Sequence, residues 1–275
     1  MKKGISIWSF AGTDLKENMI LAKDAGFDGV ELALDETGEV SMESTKEDLA
    51  KVKAYAQEIG IELYSLATML YWTYNYTSAD ASNRQKAMEI TKKQLEVAAE
   101  LGCDTILVVP GAVEVSFAPG EVVEYDVAYE RAQSALKELA PYAEKLGVYI
   151  GIENVGNRFL LSPLEAARFI DEIGSDYVGA YFDVGNVVSS GFPEHWIKIL
   201  ADRIKKVHIK DYRRKTSAFV DLLSGDVNWP AVMEGFKKIG YDNWITAEML
   251  PPYVHYPRAL IYNTSNSMDE ILERK

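Results

Sequence analysis

The sequence predicts an α/β fold, a (β/α)8 barrel built as one domain over residues 1–275. Eight short apolar runs alternate with segments of helical spacing, a glycine stop recurs between helix and strand, and no Pro/Ser-rich linker or composition break divides the chain. A doubly wound open sheet is the competing arrangement. It calls for a glycine-rich phosphate turn after the first strand, and "SFAGTDLKEN" (9–18) supplies a single glycine.

The strand-like runs are, in order, "GISIWSF" (4–10), "GVELAL" (29–34), "ELYSLATM" (62–69), "TILVVPG" (105–111), "YIGIENV" (149–155), "GAYFDVGN" (179–186), "KKVHIKDY" (205–212) and "WITAEML" (244–250). Between them lie helical repeats such as Leu49, Val52, Ala56 and Ile59, or Val232, Phe236 and Ile239. "STKE" (44–47) and "SPLE" (162–165) read as capping boxes, the second with proline at the first helical position. "DAGFDG", "EIGIEL", "LGCDTI", "KLGVYI", "EIGSDY" and "KIGYDN" each place a glycine where a helix stops in the left-handed conformation. The longer connections, around 70–80, 111–125, 212–228 and 251–259, follow strand C-termini, the end at which a barrel carries its active site.

A hydrophobic fraction of 48% with 26% charged residues describes a soluble globular chain with a sizeable core. Its net charge of −13 repels phosphate backbones and anionic lipid, so neither nucleic acid nor a membrane is expected as a partner. One cysteine, Cys103, allows no intramolecular disulfide and no paired-thiolate zinc site. The opening "MKKGISIWSF" has no long apolar core or cleavage site, and no run reaches the ~18 apolar residues of a membrane span. A cytoplasmic protein is expected.

Four successive strands end in a potential ligand: Glu153 in "GIENV", Asp183 in "YFDVGN", His208 in "VHIKD" and Glu248 in "ITAEML". Charge on a core strand is costly unless paired or coordinated. Singly, either glutamate reads as a rim ion pair, His208 as a hydrogen-bonded core histidine and Asp183 as a helix cap; jointly, the alternatives are a buried ion network or a metal site. As a metal site, three carboxylates and one imidazole suit Mn²⁺ first, then Mg²⁺ or Co²⁺, better than structural zinc.

"GIENV", "FDVGN", "VHIKD" and "ITAEM" together resemble the sugar isomerase and epimerase group of the xylose isomerase-like TIM barrel superfamily, with "DVGN" and "HIKD" similar to its L-ribulose-5-phosphate 3-epimerase branch. The resemblance implies a sugar or sugar-phosphate substrate, ligation by Glu153, Asp183, His208 and Glu248, and a homo-oligomer, dimer or tetramer. It gives Glu153 and Glu248 a second role as the acid/base pair that inverts carbon 3 of a ketose through an enediolate. Arg214 would contact substrate oxygens, and Asp211 replaces the acidic residue that precedes it. Asn186 departs from the histidine that many free-ketose 3-epimerases carry there. Further pocket candidates are Trp8, Glu31, Asn154, Arg158 and His255. Lys210, Arg213 and Lys215 make the turn after His208 locally basic, fitting either a phosphorylated sugar or a solvated turn.

The same ligands serve aldose–ketose isomerisation when one carboxylate returns the proton to the neighbouring carbon. Dehydration of a keto-inositol, or epimerisation or lysis of a 3-keto-glycoside, also runs through such an enolate. A trinuclear-zinc DNA-repair endonuclease of the superfamily fits poorly with three histidines and this charge. A sugar-binding protein without turnover would have no need of four costly strand-end ligands.

Overall fold

In the computed structural model, which describes residues 1–115 and 120–274, the apolar runs pair into one closed sheet. Ten strands occur in chain order: β1 (Lys2–Ser6), β2 (Gly29–Ala33), β3 (Glu62–Ala67), β4 (Thr105–Val108), β5 (Tyr149–Glu153), β6 (Val178–Asp183), β7 (Ile204–Ile209), β8 (Asp211–Arg213), β9 (Ala218–Val220) and β10 (Trp244–Ala247). The barrel runs β1-β10-β7-β6-β5-β4-β3-β2, and its neighbours are parallel. The helices between and after these strands are α1 (Leu15–Asp24), α2 (Lys46–Ile59), α3 (Ala81–Leu101), α4 (Tyr125–Leu146), α5 (Pro163–Ile173), α6 (Pro193–Leu200), α7 (Trp229–Lys238) and α8 (Pro257–Ile271). The eight-unit barrel expected from the alternation is therefore observed.

The glycine stops hold: Gly26, Gly60, Gly102, Gly147, Gly174 and Gly240 all have φ between 68° and 88°. The caps differ in detail. Helix α2 begins one residue later than "STKE" predicts, because Thr45 and Asp48, rather than Ser44 and Glu47, exchange the reciprocal hydrogen bonds of a capping box. Ser162 caps α5 as expected, but the Glu165 carboxylate turns to Leu161 N and the Tyr125 hydroxyl instead of completing a box.

One expected strand is divided. The run 205–212 leaves the barrel after Ile209, and Asp211–Arg213 pairs antiparallel with Ala218–Val220 as a hairpin over the C-terminal mouth. At the opposite end, buried Lys3 on the outer side of β1 reaches Asp269 of α8 at 2.6 Å, and buried Lys206 reaches Asp104 at 2.7 Å. Among the described residues no helix is long and apolar enough to cross a membrane.

The barrel interior is filled by side chains that demand glycine opposite them. The Tyr64 ring stacks on Trp244 at 3.8 Å and its hydroxyl meets Thr246 Oγ1 at 2.8 Å. A Cβ on Gly29 would lie 2.6 Å from the Trp244 ring and 2.7 Å from the Glu62 carbonyl oxygen, which is backbone and cannot step aside. Gly29→Ala is expected to cost about 1–3 kcal/mol, read as a lower urea midpoint with an unchanged m-value.

Candidate metal centre and active site

Strand register brings the four expected ligands to one depth. Asp183 pairs with His208 across β6 and β7, His208 pairs with Thr246 across β7 and β10, and Glu153 pairs with Tyr181 across β5 and β6. Alternation along β10 then aims Glu248, two residues beyond Thr246, to the same side. One ligand atom from each of Glu153, Asp183, His208 and Glu248 falls within 4.8 Å of the others, and all four residues are buried.

Their free atoms converge on one point. His208 Nδ1 lies 3.5 Å from Glu153 Oε1 and 3.8 Å from Glu248 Oε2, within their field but without a hydrogen bond. Asp183 Oδ2 is buried without a hydrogen bond and has only the Lys210 ammonium, at 3.2 Å, against it. Buried polar atoms are normally satisfied, so the unpaired His208 Nδ1 among three carboxylates fits a cation that takes all four. Asp183 is fixed from outside: its Oδ1 accepts from Asn186 N at 2.7 Å, and its backbone exchanges hydrogen bonds with the Asn154 amide. The Asn186 amide nitrogen donates to Asn154 O at 3.0 Å. Behind the imidazole, His208 Nε2 meets Glu31 Oε1 at 2.8 Å, and Glu31 Oε2 accepts from Ser65 and from Tyr181.

Lys210, expected in a basic surface turn, points inward. Its ammonium donates to Glu248 and lies 3.2 Å from Asp183 Oδ2, with the Phe219 ring of the hairpin over it. The two glutamates consequently differ. Burial pushes the Glu153 carboxyl up to about 7 against the opposing contact with His208. Burial also acts on Glu248, but Lys210 and His208 override it and hold that carboxyl below its ordinary range. Burial raises Asp183, whereas His208 is raised because Glu31 and Glu248 outweigh its burial. One glutamate is set to carry a proton near neutrality and the other to stay ionised.

The remaining candidates sit elsewhere. Asp211 is fully buried and is used by the hairpin itself: Oδ1 accepts from Tyr212 N and Val227 N, and Oδ2 from Trp229 Nε1 at 3.2 Å. Arg214 donates to Val188 O and Gly191 O, both at 2.9 Å, and lies over Phe192, so it pins the hairpin to the loop after β6. Arg158 is 64% exposed and pairs with Glu114, and His255 is exposed in the loop after β10. Trp8 is half-buried in the turn after β1, lining a hollow of about 430 Å³ with Phe10, Asp35 and Leu250. Leu250 also walls a hollow of about 210 Å³ that reaches Lys210 and Glu248. A larger hollow, about 690 Å³, lies between α7 and the end of α8 and holds none of the cluster.

Ser65 and Tyr181 escaped the sequence reading, Lys210 entered it only as part of a basic turn, and Glu31 entered it as a pocket candidate without a role. The strand period held the signal: Lys206, His208 and Lys210 share parity on β7, and Glu31 is a charge inside a fully buried strand.

Residues 19–267 match the family model for the xylose isomerase-like TIM barrel. The chain belongs to this family. The L-ribulose-5-phosphate 3-epimerase UlaE of Salmonella heidelberg is 26% identical over 262 residues, covering 90% of this chain and 87% of that protein. Among solved structures, the D-psicose 3-epimerase of Clostridium cellulolyticum H10 superposes with a TM-score of 0.82 at 17% identity, covering 99% of each chain. A 3-keto-D-glucoside 4-epimerase from E. coli superposes at 0.78 with 18% identity, again over 99% of both chains.

Glu153 makes the metal-free protein pH-sensitive. Its folded value of about 7 exceeds the model 4.5, so the stability it contributes is complete below pH 4.5 and is lost as pH rises through 7. Urea unfolding in EDTA is expected to show a loss of up to about 3 kcal/mol across that window, reduced in Glu153→Gln. Metal binding to the wild type is expected to tighten over the same rise in pH, because ligands must shed protons to bind.

Proposed function

We propose that this protein is a divalent-metal-dependent sugar epimerase that inverts carbon 3 of a ketose or ketose phosphate, with Glu153 and Glu248 as its acid/base pair. The observation that carries the reading is the placement of these glutamates at the C-terminal ends of β5 and β10, the outer strands of a four-strand arc, on either side of Asp183 and His208. Glu153, Asp183, His208 and Glu248 would hold the cation, and their hard, oxygen-rich set favours Mn²⁺ over zinc. When bound, such a cation supplies polarisation of the ketose carbonyl and stabilisation of the enediolate.

The chain's own residues account for the proton traffic. Ionised Glu248, held low by Lys210, takes the proton from carbon 3 on one face. Glu153, on the far side of the cluster, delivers one to the opposite face, and the exchange inverts the centre. In the reverse direction the roles interchange. Asn154 and Asn186 keep Asp183 from following the movement of charge. Leu250 and the hairpin residue Phe219 wall the hollow that reaches Glu248. Similarity to UlaE puts L-ribulose 5-phosphate first among the substrates to test.

The test is deuterium uptake from D₂O, followed by NMR with added Mn²⁺ and a panel of pentuloses, hexuloses, their phosphates and 3-keto-glycosides. Exchange at carbon 3 of a ketose is expected, with epimer formation, and Glu248→Gln and Glu153→Gln are each expected to lower epimerisation by about 10²–10⁴-fold. Exchange confined to 3-keto-glycosides, or none despite bound metal, would defeat the ketose assignment.

A further inference from the structure

We propose that Glu31 is the positioning residue of the metal centre, fixing the His208 ring as the Nε2–H tautomer so that Nδ1 is the atom presented to the cation. The inference rests on the metal-centre reading above and concerns a residue outside the four ligands. Glu31, Ser65, Tyr181 and His208 come from β2, β3, β6 and β7, and all four are fully buried. Glu31 has no cationic lysine or arginine partner among the described residues; its charge meets only hydroxyls and the imidazole.

The Ser65 and Tyr181 hydroxyls lie 2.9 Å apart, either able to donate to the other, and both approach the same oxygen of Glu31. Ser65 Oγ donates to Oε2 at 2.5 Å and the Tyr181 hydroxyl donates to the same oxygen. Oε1 is thereby left to accept from His208 Nε2 at 2.8 Å. With Glu31 as the acceptor, Nε2 carries the hydrogen, and in the neutral imidazole that a metal requires Nδ1 is then the bare nitrogen. That nitrogen is the orphan facing Glu153 and Glu248. The Tyr181 ring packs edgewise on the imidazole at 4.7 Å and restricts its rotation.

The backbone is irregular where this network needs it. Between β2 and β3 the register slips: Val30 pairs with Leu63 but Leu32 pairs with Leu66, so Glu31 faces Tyr64 and Ser65 together. Between β6 and β7 a second slip falls between Ala180 and Tyr181. Such bulges re-aim side chains next to active sites, and here each adjoins a member of the network. A core filled only for packing would require neither the buried charge nor the two slips. A carboxylate behind a ligating imidazole makes the ligand more basic and fixes its direction, and its loss typically weakens metal affinity about 10–100-fold.

The experiment measures Mn²⁺ affinity by electron paramagnetic resonance of free Mn²⁺, alongside ¹⁵N imidazole spectra of Mg²⁺-loaded protein, with His208 one of three histidines. Wild type is expected to bind Mn²⁺ and to show His208 as the Nε2–H tautomer. Glu31→Gln, which keeps the shape and an acceptor but removes the charge, is expected to weaken Kd by about 10-fold, and Glu31→Leu by about 100-fold. Tyr181→Phe should produce a smaller weakening. A purely structural Glu31 would lower the melting temperature and leave Kd per folded molecule unchanged, and that result overturns the proposal. Should the Glu31 variants fail to fold, an Nδ1–H tautomer in loaded wild type overturns it equally. Wild type that binds no Mn²⁺ refutes the metal centre itself, an outcome distinct from failure of the Glu31 role.

Discussion

Three carboxylates and an imidazole, buried within 4.8 Å of one another, dominate the energetics of the barrel mouth. Like charges so placed in a low-dielectric interior repel strongly unless a cation or protons intervene. The surrounding structure is arranged around that constraint. Without a metal, Lys210 supplies one positive charge and protonation of Glu153 removes one negative charge; with all three carboxylates ionised, Lys210 leaves an excess of two negative charges, which a divalent ion beside the unpaired His208 Nδ1 would balance. The difference between the two glutamates, on which the acid/base assignment turns, follows from which of them Lys210 touches.

The distribution of rigid and adaptable parts follows the same logic. The four ligand positions sit on or beside parallel strands locked by register, while the residues shaping the mouth come from the hairpin, the turn after β1 and the loop after β10. A family sharing this barrel can therefore keep one strand-borne cluster and vary what the mouth admits through its loops. The solved relatives named above, a psicose 3-epimerase and a 3-keto-glucoside 4-epimerase, share the fold while differing in substrate.

The barrel was legible in the sequence because it rests on local signals. Apolar runs, capping residues and six left-handed glycines each act within a few residues of their position. The four-ligand cluster was legible because a charge at the end of an apolar strand is costly enough to need a reason. Glu31 carries the same signal, but its partners lie 34, 150 and 177 residues away and meet through two register slips that alternation does not reveal. Asp211 and Arg214 have a second role for a related reason. Proximity in sequence to His208 placed them beyond the strand end, and the break after Ile209 also makes them the hairpin's own fastenings, which strand alternation does not reveal.

That break has a bearing on how the enzyme could be remodelled. The hairpin hangs directly from the strand that carries His208, with Lys210 as the intervening residue, and its base is tied by Asp211 to Trp229 at the start of α7. A grafted loop that lost this tether would change more than the shape of the entrance, since it would also release the lysine that biases Glu248. The loop after β10 begins at Glu248 itself, whereas the turn after β1 holds none of the cluster. Entrance shape and proton affinity are thus mechanically joined at the hairpin and at the β10 border and separable at the β1 turn, which gives an order in which to vary the loops.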